Sequence, residues 1–142
     1  ERLSGYKDAL AHQGIALNND LIVKGKWTPA CGAAGVDTLL SRKVNFTALV
    51  ASNDDMAIGA MKQLHEHGVS VPAQVSVIGF DDIALAAYTI PALSSVKIPV
   101  TEMIQETIGR LIFMLGDGAF TPPKTFTGEL IQRDSVAPPA SR

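Results

Sequence analysis

Three short clusters carry the side chains whose types and spacing could do chemistry. They are Trp27 after Gly25 and Lys26, Asn53 with Asp54 and Asp55 after Ser52, and Asp81 with Asp82 after Phe80. Each follows a short apolar run, with 26 positions from Trp27 to Asn53 and 28 from Asn53 to Asp81. Carboxylates accept hydrogen bonds, an amide donates and accepts, and an indole presents a broad apolar face. That mixture suits a neutral, polyhydroxylated ligand, whose hydroxyls pair with the polar groups while its C–H face packs on the ring. A phosphate ligand is disfavoured, because no P-loop or GxGxxG pattern follows any of the runs and acids crowd the same positions. Each residue also has a plainer role open to it: Asn53 and Asp81 as helix caps, Trp27 as packing at the rim of a sheet. No metal set is expected, since His65 and His67 of the HEH triplet project about 200° apart on a helix. No GxSxG elbow or assembled Ser, His and Asp set supports an enzyme, so catalytic residues and cofactors are expected to be none.

The elements that must position these clusters follow from periodicity. Residues 2–13 read as an amphipathic helix ended by Gly14, with Leu3, Tyr6 and Leu10 on its buried face. A polar loop over 15–20 leads to a short strand over 21–23, and Thr28 with Pro29 opens a helix to about residue 43. A strand over 48–52, a helix over 54–67 stopped by Gly68, and a strand over 75–80 follow. The alternation is that of an α/β fold with a parallel sheet and helices on both faces. Ligands of such sheets bind at the carboxyl ends of the strands, where all three clusters lie. A short helix before Pro91, a strand over 93–98, a helix over 101–115 and a last strand in FTGELIQRDS complete the chain, with GDGAFTPPK as a surface loop and VAPPASR as a fraying tail. The helix over 101–115 carries one broad apolar face of Met103, Ile104, Ile108, Leu111, Ile112 and Leu115.

Composition narrows the class. The 142 residues are 46% hydrophobic, enough for one substantial core, and 12 basic against 14 acidic side chains give a net charge of −2 without a basic stripe. A nucleic-acid footprint is therefore missing from these residues. No apolar run approaches the roughly 20 residues of a membrane span, and ERLSGYKDAL has no signal-peptide pattern. Cys31, the single cysteine, can form no internal disulfide and fits a reducing, cytoplasmic setting. Helical spacing from the first residues onward suggests a chain cut at its start.

The segments RLSGYKDAL, GKWTPACG, TALVASNDDMAIGAM, VPAQVSVIGFDDI, YTIPALSSVKIPV and LIQRDSVAPP, in this order and spacing, resemble the effector-binding domain of the lactose-repressor and galactose-repressor family of transcription regulators. The resemblance implies the C-terminal portion of a bilobal, periplasmic-binding-protein-like (type I) domain, with a sugar or β-glucoside effector in the cleft between two subdomains. Operator DNA would be bound by a helix-turn-helix domain absent from these residues, in a homodimer. By position, Arg2 matches the family arginine that hydrogen-bonds sugar hydroxyls, Trp27 the aromatic that stacks on the sugar, and Asn53 and Asp81 the amide and carboxylate that bind hydroxyls. Ile98 departs from the pattern, falling where some members place a polar contact. Dimer-forming surfaces correspond to residues 29–40, 56–64 and 85–91, with Met56, Ala57, Ala60, Met61 and Leu64 as a small-residue stripe suited to a two-fold partner. Residues 1–96 correspond to the C-terminal subdomain, 97–124 to a crossover and helix of the other subdomain, and 125–142 to the return. A periplasmic sugar-binding protein is the first rival reading, and an enzyme of the same fold class, such as a sugar hydrolase, the second. The helix over 101–115 would then lack its sheet. Burial physics predicts that in residues 1–142 alone it docks on a second copy or swings from its family position, unless a subdomain outside these residues covers it.

Overall fold

The computed structural model describes residues 2–116, 119, 122 and 124–139. The order is α1 (Arg2–His12), α2 (Pro29–Ser41), β1 (Ala48–Val50), α3 (Asp54–Glu66), β2 (Ser76–Asp81), β3 (Ser94–Lys97), α4 (Val100–Leu115) and β4 (Glu129–Ile131). The strands form one sheet in the order β1-β2-β3-β4. β1 and β2 are parallel with Ala48 opposite Ser76, β2 and β3 are parallel with Ile78 opposite Ser94, and β4 returns antiparallel with Ile131 opposite Ser95. The α/β architecture is thus the one expected, with parallel strands β1 to β3 and an antiparallel β4 at the edge. Most of the loop over 116–124 and the last residues of the tail lie outside the described residues.

Local chemistry explains the helix starts. Thr28 caps α2 by accepting from the Cys31 amide, with Pro29 at the first helical position, and Asn53 caps α3 by accepting from the Met56 amide at 3.0 Å. Asp54 and Asp55 sit in the first turn of α3, at the positive end of its dipole. α2 and α3 approach closely because glycine faces backbone at both crossings. A Cβ on Gly32 would fall 2.0 Å from the Met56 carbonyl oxygen, and one on Gly59 1.9 Å from that of Pro29. α3 is pressed between α2 and β2, and Val36, Ala57, Ala60, Leu64, Val77, Ala86 and Leu93 form the buried core.

Several expectations are corrected. No strand forms over 21–23. Asn19–Leu21 is a 3-10 turn, held by Asn18 Oδ1 accepting from the Asp20 amide, and the Arg42 guanidinium donates to the carbonyls of Asp20 and Ile22 at 2.7 and 3.1 Å. With those acceptors engaged by a side chain, no ladder extends past β1. The helix before Pro91 is a 3-10 turn, Ala84–Tyr88. Helix α1 forms as read but has no buried residue: Leu3 is exposed and Tyr6 and Leu10 are only half-buried, since no element of this chain covers them. The supposed dimer stripe is core instead. Ala57, Ala60, Met61 and Leu64 are buried within their own chain, with Met56 packed against them. The position of α3 between α2 and the sheet uses up that face.

Candidate functional site at the carboxyl ends of the strands

The structure brings Arg2, Trp27, Asn53 and Asp81 together on one rim of the sheet. Arg2, at the start of α1, reaches across to the strand ends. Its guanidinium donates to the carbonyl of Ser52, just beyond β1, and to Asp81 Oδ1 at the end of β2, 3.1 Å away. The same group lies 4.9 Å from the centroid of the Trp27 ring and 3.9 Å from that of Phe80. Arg2 and Asp81 are about one-third exposed, so the pair is solvent-screened and contributes little net stability. Trp27 is 60% exposed, so rim packing does not account for it. An exposed indole beside a paired arginine and carboxylate is an open ledge with one apolar wall and several hydrogen-bonding groups.

Asn53 plays the plainer role of cap, and also a second one. While Oδ1 accepts from Met56, Nδ2 lies 3.4 Å from the Trp27 carbonyl, which ties the tryptophan loop to the start of α3. It is 7% exposed. Asp81 is not a helix cap. It and Asp82 have φ of 108° and 54°, a left-handed conformation unusual for two consecutive non-glycine residues. The break from extended backbone lets neighbours Phe80 and Asp81, which an ideal pleat would send to opposite faces, meet one guanidinium. Phe80 was missed in the sequence because it reads as one more apolar residue of a buried strand. The irregular pair of acids after it is the signal that the pleat fails there.

The remaining acids of these clusters are structural. Asp54 is fully buried and accepts from Ser95 Oγ and the Ile83 amide, while Asp82 pairs with Arg133 at 2.7 Å. Ile98, half-buried beyond β3, contributes no polar atom of its side chain. Among the described residues no group of three His, Cys, Asp or Glu side chains is placed to hold a metal ion. His67 instead lies 2.7 Å from Asp37 Oδ1, linking α3 to α2 and, with Gln63, holding the Asp37 carboxyl below its ordinary range. At the start of α2 the Thr28 side chain, then the Lys26 backbone, lower the Cys31 thiol from its ordinary value.

The fold and this rim define the class: the chain belongs to the periplasmic binding protein-like domain family, whose sequence model matches residues 1–136. It is 75% identical over 140 residues to the HTH-type transcriptional regulator AscG of Escherichia coli strain K12, an alignment covering 99% of this chain and 42% of that regulator. A crystal structure of a sugar-binding transcriptional regulator of the LacI family from Escherichia coli, complexed with phosphate, matches with a TM-score of 0.89 at 76% identity, over 96% of this chain and 50% of that one. A transcriptional regulator CelR in complex with cellobiose matches with a TM-score of 0.90 at 31% identity, over 95% of this chain and 42% of that one. The resemblance to the lactose- and galactose-repressor family is borne out. The chain spans less than half the length of the curated relatives it matches.

An alignment over 96% of the chain cannot omit the 16-residue helix α4. Helix α4 therefore lies, at least in large part, within the aligned part of that structure. Its apolar face stands in solvent, from 37% exposure at Met103 to 78% at Leu115. Among the described residues nothing packs on it closely enough to bury a single residue.

Proposed function

We propose that the chain is the effector-binding and dimerisation part of a sugar-responsive, DNA-binding transcriptional repressor. The observation that carries this reading is the convergence of Arg2, Trp27 and Asp81 on one rim: a charged pair for hydroxyls and an open ring for a sugar's C–H face. Asn53 serves the site by fixing the Trp27 loop. The effector is a sugar or β-glucoside, held between this rim and a second subdomain. Helix α4, with the rest of residues 97–124, belongs to that second subdomain, which accounts for its bare face. Residues 1–96 and the return over 125–142 form the subdomain of the rim.

The protein acts in the cytoplasm, without catalysis. Effector binding changes the relative orientation of the subdomains and thereby the operator affinity of a DNA-binding domain outside these residues. Such coupling requires that the effector bind the two orientations unequally. A homodimer forms through the segment at 85–91, where Leu85, Tyr88 and Ile90 are exposed by 53, 81 and 97%. A periplasmic sugar-binding protein is disfavoured by relatives that are DNA-binding regulators. Calorimetric titration of the full-length protein with cellobiose, salicin and glucose, beside operator binding with and without each sugar, tests the reading. Binding of at least one sugar that also shifts operator affinity supports it. No heat from any of the three, or binding that leaves operator affinity unchanged, contradicts it.

A further inference from the structure

Asp54 is a fully buried carboxylate that the rim itself does not use. It is not needed as the cap of α3, since Asn53 fills that role. Yet the fold makes room for it: a Cβ on Gly79 would fall 2.0 Å from Asp54 Oδ1. A buried carboxylate is costly unless its oxygens are satisfied, so its partners show what it holds in place. Oδ1 accepts from Ser95 Oγ at 2.6 Å, and Oδ2 accepts from the Ile83 amide at 2.8 Å. Ser95 Oγ in turn accepts from the Asp82 amide at 3.1 Å.

Both chains of bonds end on the backbone of residues 82 and 83, directly after Asp81. Asp81 and Asp82 are the two consecutive residues at positive φ, a conformation that L side chains adopt only when their surroundings enforce it. Arg133 completes the clamp from the other side, donating to Asp82 Oδ1 and to the Leu93 carbonyl, each at 2.7 Å. Relaxed toward an ordinary extended backbone, this turn would swing the Asp81 carboxylate away from Arg2. We propose that Asp54, through Ser95 and the Ile83 amide, is the positioning residue that holds Asp81 in its ligand-binding geometry. The inference rests on the sugar-binding reading of the rim, and it adds a residue that touches no ligand.

The test is a double-mutant cycle in the full-length protein, with affinity for whichever of cellobiose, salicin and glucose the parent binds most tightly measured by calorimetry for the parent, Asp54→Asn, Asp81→Ala and the double variant. Asparagine keeps the shape of Asp54 but removes its charge and replaces one acceptor with a donor, so the bond to the Ile83 amide is weakened to a neutral one and Ser95 Oγ must turn from donor to acceptor. Asp54→Asn weakens binding roughly tenfold in the parent background, and adds no further loss once Asp81 is alanine. A residue that merely stabilised the fold would not show that dependence. Ser95→Ala, a milder change to the same network, shows the same dependence on Asp81 and serves if Asp54→Asn does not fold. Hydrogen exchange at the Ile83 amide, which needs no ligand, speeds up in Asp54→Asn. Equal losses with and without Asp81, or no loss at all, overturn the positioning role while the site stands. Unchanged affinity in Asp81→Ala, or a parent that binds none of the three sugars, instead removes the reading on which the inference rests.

Discussion

Helix α4 offers the largest energetic test. Ile108 and Ile112 lie one helical turn apart on its apolar face, 51 and 65% exposed. Fully burying such a side chain is worth about 1.5–3 kcal/mol. The six residues of the face are on average a little over half exposed, so covering them would add roughly 5–10 kcal/mol at most. Bringing two free chains together costs about 4–15 kcal/mol, which is of the same size. Residues 1–142 alone should therefore associate weakly and bind a hydrophobic dye such as ANS, without forming a tight dimer through this face. A subdomain tethered in the same chain avoids most of the association cost and covers the face stably. The double substitution Ile108→Glu with Ile112→Glu should abolish dye binding and self-association in residues 1–142. In the full-length protein it should instead lower the unfolding free energy, by about 3–6 kcal/mol for two lost side chains, and with it the urea midpoint. Sedimentation velocity, dye fluorescence and urea unfolding measure these effects. A fragment that stays monomeric and dye-free at high concentration, with a full-length protein indifferent to the substitutions, would refute the reasoning.

Three further outcomes follow from particular contacts. Gly59→Ala places a methyl group against the Pro29 carbonyl and should destabilise the fold by at least about 1–3 kcal/mol in urea unfolding; an unchanged midpoint would show that α2 and α3 separate easily. Asp37 titrates below its ordinary value because His67 and then Gln63 bond it, so its contribution is full above about pH 4 and disappears as pH falls through the lowered value. His67→Ala should accordingly move the acid-unfolding midpoint up, slightly because the pair is exposed, and circular dichroism against pH would detect no shift if the bond is idle. Tyr88→Glu with Ile90→Glu should give monomers of the full-length protein with weakened operator binding, whereas an undisturbed dimer by sedimentation would move the interface elsewhere.

Much of the fold was legible because local signals and burial agreed. Thr28 with Pro29, Asn53 with its acidic first turn, and glycines at 14 and 68 marked helix ends that the structure keeps within two or three residues. The strand expected over 21–23 failed because an apolar triplet says nothing of its neighbours, and Arg42, some 20 residues on, had claimed its carbonyls. The stripe on α3 failed for a related reason. Small apolar residues suit close packing, but periodicity cannot tell whether the close neighbour is a partner or this chain's own α2. At the rim the polar clusters were visible, whereas their division into Asp81, which meets Arg2 at the rim, and the structural Asp54 and Asp82 was not. That division depends on Ser95 and Arg133, which reach the same turn from β3 and from just after β4. Phe80 likewise became a site residue only once Arg2 was seen to lie over it.

The most direct test of the central claim is calorimetry on the full-length protein and its Asp81→Ala variant, titrated with cellobiose, salicin and glucose. Asp81 pairs with Arg2 at the rim in a solvent-screened pair of little net stability, so its loss should spare the fold. A charged hydrogen bond to a sugar hydroxyl is worth about 1.5–3 kcal/mol, so affinity for the bound sugar should fall roughly 10- to 150-fold with the thermal midpoint nearly unchanged. Unchanged affinity in a folded variant would take Asp81 out of the site and contradict the account.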